Sequence, residues 1–356
     1  MREGYVYSHG GNATYESGNE SILDLSANIN PLGMPDGVKS AIIRDIQNCG
    51  RYPDSFSGKL REKIALFENV TPDWVFCSNG ASDIIFRLPR AVQAKKIMIA
   101  APTFSDYERS ASSYGSKIIR YQLFEADGFS LDDDFVESVK NAKPDLVYVC
   151  NPNNPTGRLM ESYLIGKLLD CCLEMGAWVA VDECFLDFSE KACDYTSKVF
   201  FGNHPNLIVI KAFTKLFAMP GIRLGYALCA DEALMGRLYL HGAEWSVSNL
   251  AQVAGMAALE GAGDYIRQTV QYVSAERTVM EKTLAHLGYK VFKSAANYTF
   301  IKSPYPSDLR EGLDAKGIRI RSCGNYHGLD NRYYRTAVST RKNNEMFLAA
   351  VKEITN

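Results

Sequence analysis

Short, unbroken apolar runs recur along the first two-thirds of the chain, separated by stretches with a helical period. The runs are "KKIMIA" (95–100), "SKIIRY" (116–121), "DLVYVC" (145–150), "AWVAVD" (177–182), "NLIVI" (206–210) and "GYALC" (225–229). Between them, 80–93, 104–114, 131–141 and 161–175 read as helices. Continuous rather than alternating apolar strands are the mark of a sheet covered on both faces. Strands that alternate with helices imply parallel crossovers. The pattern therefore predicts an α/β fold with a mostly parallel sheet.

The texture changes after about residue 245. A long helical stretch over 263–287 is followed by short strands near 290–293, 298–302, 318–321 and 333–338, with helices near 306–316 and 341–354. This predicts a smaller α+β domain. The expected division is an N-terminal arm at 1–30 that goes with the small domain, a large domain at 31–245 and a small C-terminal domain at 246–356. The arm is rich in Gly, Asn and Ser and is expected to lie over a cleft.

Composition narrows the function. The chain has 356 residues, 46% hydrophobic and 22% charged, with a formal net charge of -2. Bulk charge of that size does not drive binding to nucleic acid or to a membrane surface, so an anion site must be a local cluster of cations. No run reaches the length of a membrane-spanning helix, and "MREGYVYSHGGN" carries no signal-peptide core. The nine cysteines include no C-x-x-C spacing. They read as reduced thiols of a cytoplasmic protein, with neither a disulfide frame nor a metal site.

Several polar motifs fall where strands end, which is where ligands bind in open α/β sheets. "VFCSNGASDIIF" (75–86) runs strand, glycine turn, helix. The N–H groups of Ala81 and Ser82 with the Ser82 hydroxyl would face an anion there; an ordinary capped helix is the alternative. "CNPNNPTGRL" (150–159) forces turns and exposes amide side chains. "VAVDECFLDF" (179–188) sets Asp182 directly after a buried strand. A buried carboxylate is costly unless paired, so a cationic partner is expected, in a structural ion pair or in a site.

The stretch "NLIVIKAFTKLFAMPGIRLGYALC" (206–229) joins these pieces. Lys215 has Thr214 before it and Arg223 after it. A lysine desolvated beside another cation has a lowered pKa and becomes nucleophilic. Pyridoxal phosphate needs an amine for its aldehyde, a carboxylate for its pyridinium nitrogen, donors for its phosphate and a flat face on its ring. Lys215, then Asp182, then Ala81, Ser82, Thr214 and Arg223, and finally the aromatic Tyr107 supply that set.

The ordered motifs "SNGASD", "PTFSDY", "NPNNPTG", "VDECF" and "TKLFAMPGIRLGY" resemble the fold-type I pyridoxal-phosphate enzymes of the aspartate aminotransferase superfamily over nearly the whole chain. The most similar branches are the histidinol-phosphate aminotransferases and the L-threonine O-3-phosphate decarboxylases of cobalamin biosynthesis. "HGGN" (9–12), "LDLSANINPLGMP" (23–35) and "IRIRSCGNYHGLDNRYYRTAV" (318–338) resemble the decarboxylases. So does Phe185, where the aminotransferase branch carries a tyrosine that bonds the cofactor's phenolic oxygen.

The resemblance implies that the cofactor attaches to Lys215, that Asp182 pairs with the pyridinium nitrogen, that Asn154 bonds the phenolic oxygen and that Tyr107 stacks on the ring. Ala81, Ser82, Thr214 and Arg223 would hold the cofactor phosphate. Tyr52 would reach the phosphate of the neighbouring subunit, which makes the active unit a homodimer. His9, Asn28, Arg321 and Arg335 would face the substrate. Glu244, beside a tryptophan near the cleft, is expected to point to solvent. Lys211 has no assigned place.

The implied activity is decarboxylation of L-threonine O-3-phosphate to (R)-1-amino-2-propanol phosphate and CO2. Histidinol-phosphate transamination and decarboxylation of serine phosphate remain open. So does a non-catalytic pyridoxal-binding regulator, although such proteins carry an additional helix-turn-helix domain for which the chain leaves no room.

Overall fold

The computed structural model describes residues 10, 11 and 22–355. Its strands, in chain order, are β1 (Leu23–Asp24), β2 (Val75–Ser78), β3 (Lys96–Ala101), β4 (Lys117–Gln122), β5 (Leu146–Cys150), β6 (Trp178–Asp182), β7 (Leu207–Ala212), β8 (Gly225–Leu228), β9 (Lys290–Phe292), β10 (Tyr298–Lys302), β11 (Ile318–Arg319), β12 (Arg321–Ser322) and β13 (Tyr333–Ala337). The large sheet has the order β2-β8-β7-β6-β5-β3-β4. Only β8 runs against its neighbours β2 and β7; the β3–β4, β3–β5, β5–β6 and β6–β7 pairs are parallel. The α/β fold with a mostly parallel sheet is therefore the observed one.

Every residue of β2, β5 and β8 is buried. Alternate side chains feed two cores. Leu207 and Val209 of β7 join the larger cluster and Ile208 and Ile210 the smaller one on the other face. This two-sided burial is why the strands read as continuous apolar runs. Because β2, β3, β5, β6 and β7 are parallel, their C-terminal ends share one edge, and each is followed there by a polar segment.

The second unit is an antiparallel sheet of order β12-β13-β10-β9, backed by helices Ala262–His286 and Arg341–Thr355. β1 pairs in parallel with β11, so the chain before the large sheet is stitched to this unit: Leu23 lies opposite Ile318 and Asp24 opposite Arg319. Sequence texture draws the division at 245. Helix Asn249–Leu259 packs on helices Asp36–Asp45 and Gly58–Glu68 of the large layer, and the changeover comes with the helix that begins at Ala262. Among the described residues no helix is long and apolar enough to cross a membrane.

Candidate active site

At the C-terminal edge of the large sheet lies a cleft of ≈ 220 Å³. It is closed from the other side by the small unit and by Gly10, Ser26, Ala27 and Asn28 of the N-terminal segment. Ala81, Ser82, Asn154, Asp182, Thr214, Lys215, Arg223, Arg321 and Arg335 all line it, as does Asn28. Residues far apart in the chain meet here because four parallel strands deliver them to one edge.

Helix α1 (Ala81–Ala91) starts directly behind β2. Two glycines make that start possible. Gly80 has φ +87, and a Cβ on it would sit 2.8 Å from Nη2 of Arg223. A Cβ on Gly225 would sit 2.6 Å from the backbone nitrogen of Ala81. The first N–H groups of α1 and the Arg223 guanidinium are thereby held against each other, a cationic cradle at a helix N-terminus. The Ser82 hydroxyl donates to Asp106 Oδ2 at 2.9 Å.

Asp182 ends β6 with 6% of its surface exposed. Its Oδ2 accepts from the Tyr107 hydroxyl at 2.7 Å and its Oδ1 from the Cys184 N–H at 3.0 Å. Burial pushes its carboxyl up, and the hydrogen bonds from Cys184 and Tyr107 oppose that only in part. The expected cationic side-chain partner is not there: among the described residues no lysine or arginine pairs with Asp182. A buried carboxylate held by two neutral donors and left facing a cleft fits a cationic ring nitrogen.

Lys215 lies in the single turn α2 (Phe213–Leu216) that follows β7, half-buried at the floor of the cleft. Burial first, and then the guanidinium groups of Arg335 and Arg223, bring its amine down to about 8, with the Cys184 thiol opposing. An amine so poised is partly neutral near neutral pH and can attack a carbonyl carbon.

The roof comes from the small unit. Arg335 on β13 donates through Nη1 to Asn154 Oδ1 and through Nη2 to the Ser26 carbonyl at 2.8 Å. Its guanidinium carbon stands 5.4 Å from the centre of the Tyr298 ring, and its Nε is buried without a partner. Arg321 on β12 donates to the Ser322 carbonyl at 2.7 Å and to Asn325 Oδ1 at 2.8 Å, and lies over Tyr326. Asn28 is 2% exposed, and among the described residues its Oδ1 has no hydrogen-bond partner. A buried orphan of this kind fits a site that expects a ligand.

Other expectations are corrected or relocated. Tyr107 does not face the cleft. It is fully buried, stacked on Tyr148 at 4.9 Å between ring centres, with its hydroxyl on Asp182. Phe104, edge-on to Tyr107 at 5.6 Å, lines the cleft, as do Phe185 and Tyr326. Tyr52 is 81% exposed, rests on Trp245 and does not line the cleft of its own chain. Glu244 is exposed. His9 lies outside the described residues.

Lys211 points away from the cleft into a buried ionic cluster, 3.1 Å from Glu68 and 3.0 Å from Asp187. Burial alone would lower its proton affinity, but the carboxylates of Asp187, Glu68 and Glu183 overcome this and raise it. Sequence reasoning missed Asp106, Cys184 and Tyr326, all of which line the cleft. For Asp106 a signal existed, since it follows Phe104 in the turn after β3.

Comparison with known proteins places the chain in a family. The family model for aminotransferase class I and II matches residues 20–351. The chain is 35% identical over 339 residues to the threonine-phosphate decarboxylase of Salmonella typhimurium, an alignment covering 94% of this chain and 92% of that one. It is 30% identical over 94% of its length to 39% of the adenosylcobalamin biosynthesis bifunctional protein CobDQ of Leptospira interrogans. Among solved structures, the histidinol-phosphate aminotransferase from Clostridium acetobutylicum superposes with a TM-score of 0.88 at 30% identity, covering 94% of this chain and 99% of that one.

Proposed function

From the premise that the chain belongs to the aminotransferase class I and II family, we propose that it is a pyridoxal 5'-phosphate-dependent decarboxylase. Its substrate would be L-threonine O-3-phosphate, and its products (R)-1-amino-2-propanol phosphate and CO2, formed in the cytoplasm for cobalamin biosynthesis. The 35% identity to a threonine-phosphate decarboxylase and the match to an adenosylcobalamin biosynthesis protein support the substrate and the pathway. The observation that carries the reading is the pairing, in one cleft, of a depressed lysine amine and an unpaired buried carboxylate beneath two arginines.

The cofactor, when bound, supplies a conjugated pyridinium ring that accepts the electron pair of a bond broken at the substrate Cα. The protein does the rest. Lys215 would be the attachment point, and its Nζ, when free, would carry the proton that takes the place of the departed carboxylate at Cα. Asp182, oriented by Tyr107 and Cys184, would hold the ring nitrogen in its protonated form. Asn154 spends its Oδ1 on Arg335, which would leave its Nδ2 as the donor for the phenolic oxygen. Ala81, Ser82, Thr214 and Arg223 would receive the cofactor phosphate, and Tyr52 of a second copy would complete that cradle in a homodimer. Phe104 would cover the ring.

Arg321, Arg335 and Asn28, with His9 of the N-terminal arm, hold the substrate's two anionic ends. Arginine makes charge-assisted bonds to phosphate and carboxylate alike. Fixing both ends would restrict rotation about the substrate Cα–N bond and so position the carboxylate for loss as CO2. The deciding experiment is product analysis of the purified protein. Threonine phosphate with no keto-acid should yield CO2 and the aminopropanol phosphate. Absence of CO2, with transamination of histidinol phosphate by 2-oxoglutarate, would replace this reading with the aminotransferase one.

A further inference from the structure

The phosphate cradle contains a carboxylate. Asp106 stands in the first turn of helix α3 (Ser105–Tyr114), 4% exposed, and lines the same cleft as Ala81, Thr214 and Arg223. Its Oδ2 takes the Ser82 hydroxyl hydrogen at 2.9 Å, and its Oδ1 is paired with Arg109 Nη1 at 2.9 Å. Arg109 in turn lies over the Phe86 ring at 5.5 Å. An anion-binding cradle gains from donors and loses from a neighbouring negative charge. Here the Ser82 hydroxyl is already committed to an acid.

We infer that Asp106 is a positioning residue that limits the affinity of the cradle for phosphate by competing with it for the Ser82 hydroxyl. The inference rests on the cofactor reading above. When a phosphate occupies the cradle, Ser82 must turn from Asp106 to the phosphate. Asp106 then loses that hydrogen bond, and its carboxylate shares one cleft with the phosphate. Each change costs binding free energy that a neutral residue at 106 would not cost. The arrangement keeps the cofactor exchangeable while Lys215 and Asp182 stay undisturbed.

The test titrates the full-length apoprotein with pyridoxal 5'-phosphate and, separately, with pyridoxal, which lacks the phosphate, and reads dissociation constants from absorbance. Asp106→Asn should bind pyridoxal 5'-phosphate at least about fivefold more tightly, with pyridoxal affinity nearly unchanged. The pyridoxal control removes any effect that travels through Asp182, whose carboxyl also feels Asp106. Asp106→Glu, which keeps the charge, should stay near the parent value. Adding Ser82→Ala should erase most of the gain from Asp106→Asn. Arg109→Gln, which leaves Asp106 less neutralised, should act in the opposite direction and weaken the phosphorylated cofactor only; it covers the case in which Asp106→Asn fails to fold. Equal or weaker binding by a folded Asp106→Asn, or an equal effect on pyridoxal, overturns the inference. A parent protein that binds neither compound overturns the cofactor reading instead.

Discussion

Arg321 and Arg335 are direct cross-strand partners, one on β12 and one on β13, and both line the cleft. Like charges opposite each other on a sheet repel, so the pair stores unfavourable electrostatic energy that an anionic ligand relieves. The two are not equivalent. Arg335 also holds Asn154 and the Ser26 carbonyl, and thereby ties the small unit to the cofactor side of the cleft and to the N-terminal segment. Arg321 donates to the Ser322 carbonyl and to Asn325 Oδ1, both close to it in the chain.

That asymmetry predicts different lesions. Arg321→Ala should raise KM for threonine phosphate by the loss of one charge-assisted contact, ~1.5–3 kcal/mol, or about ten- to a hundredfold, with a smaller change in kcat. Arg335→Ala should lower kcat as well, because Asn154 loses the donor that orients it. Steady-state kinetics separates the two; equal effects on KM alone would remove Arg335 from the cofactor side.

Lys215 sets the pH dependence of cofactor attachment. Its amine is brought down to about 8, so the neutral form is the minor one below that pH and the major one above it. The rate at which apoprotein captures pyridoxal 5'-phosphate should rise through about pH 8 and level off, where a lysine of ordinary pKa would still be rising near 10. Arg335→Met removes one of the cations that depress it and should move the midpoint upward. Borohydride should fix the cofactor to the peptide that carries residue 215, and Lys215→Ala should still bind cofactor, since the phosphate cradle is intact, but not turn over. A label elsewhere in the chain would contradict the assignment.

Asp182→Asn keeps the shape and loses the charge that holds the ring nitrogen protonated. Turnover should fall by about a hundred- to a thousandfold, the scale on which removing a preorganised electrostatic group acts. Tyr107→Phe is the finer probe. It keeps the stack on Tyr148 and removes one donor to Asp182 Oδ2. Its cost should be that of one hydrogen bond, ~1 kcal/mol or about fivefold in kcat, with cofactor affinity little changed. Phe104→Ala, by contrast, should weaken cofactor binding itself. A large loss of cofactor affinity in Tyr107→Phe would restore Tyr107 to the ring face.

These contrasts mark what a sequence can carry. The strands of the large sheet were legible because two-sided burial writes them as unbroken apolar runs, and the residues at their ends were legible because parallel topology gathers those ends on one edge. The choice between Phe104 and Tyr107 was not. They lie three residues apart at the start of one helix, and only the packing of Tyr107 on Tyr148 turns its hydroxyl to Asp182. Lys211 shares the β7 face of Leu207 and Val209, which alternation implies, but its partners Glu68 and Asp187 come from distant segments. The packing of helix Asn249–Leu259 was not legible for a similar reason: its contacts are with helices Asp36–Asp45 and Gly58–Glu68, some two hundred residues away in the chain.

Tyr52 carries the prediction about assembly. It is 81% exposed, its ring lies 4.7 Å from that of Trp245, and it does not line the cleft of its own chain. A tyrosine in that position can serve a site only across a two-fold interface, where the same patch on each copy reaches the other. Tyr52→Phe should weaken pyridoxal 5'-phosphate binding and reduce turnover, while its ring stays on Trp245. The sharper measurement mixes it with Lys215→Ala. In a heterodimer, one site lacks both groups and the other recovers both. Random reassortment of the two chains should therefore restore about a quarter of the parental sites, since half the dimers are mixed and each has one intact site. Activity that never exceeds the sum of the two variants alone, with heterodimers demonstrated in the mixture, would mean that each site is built from a single chain.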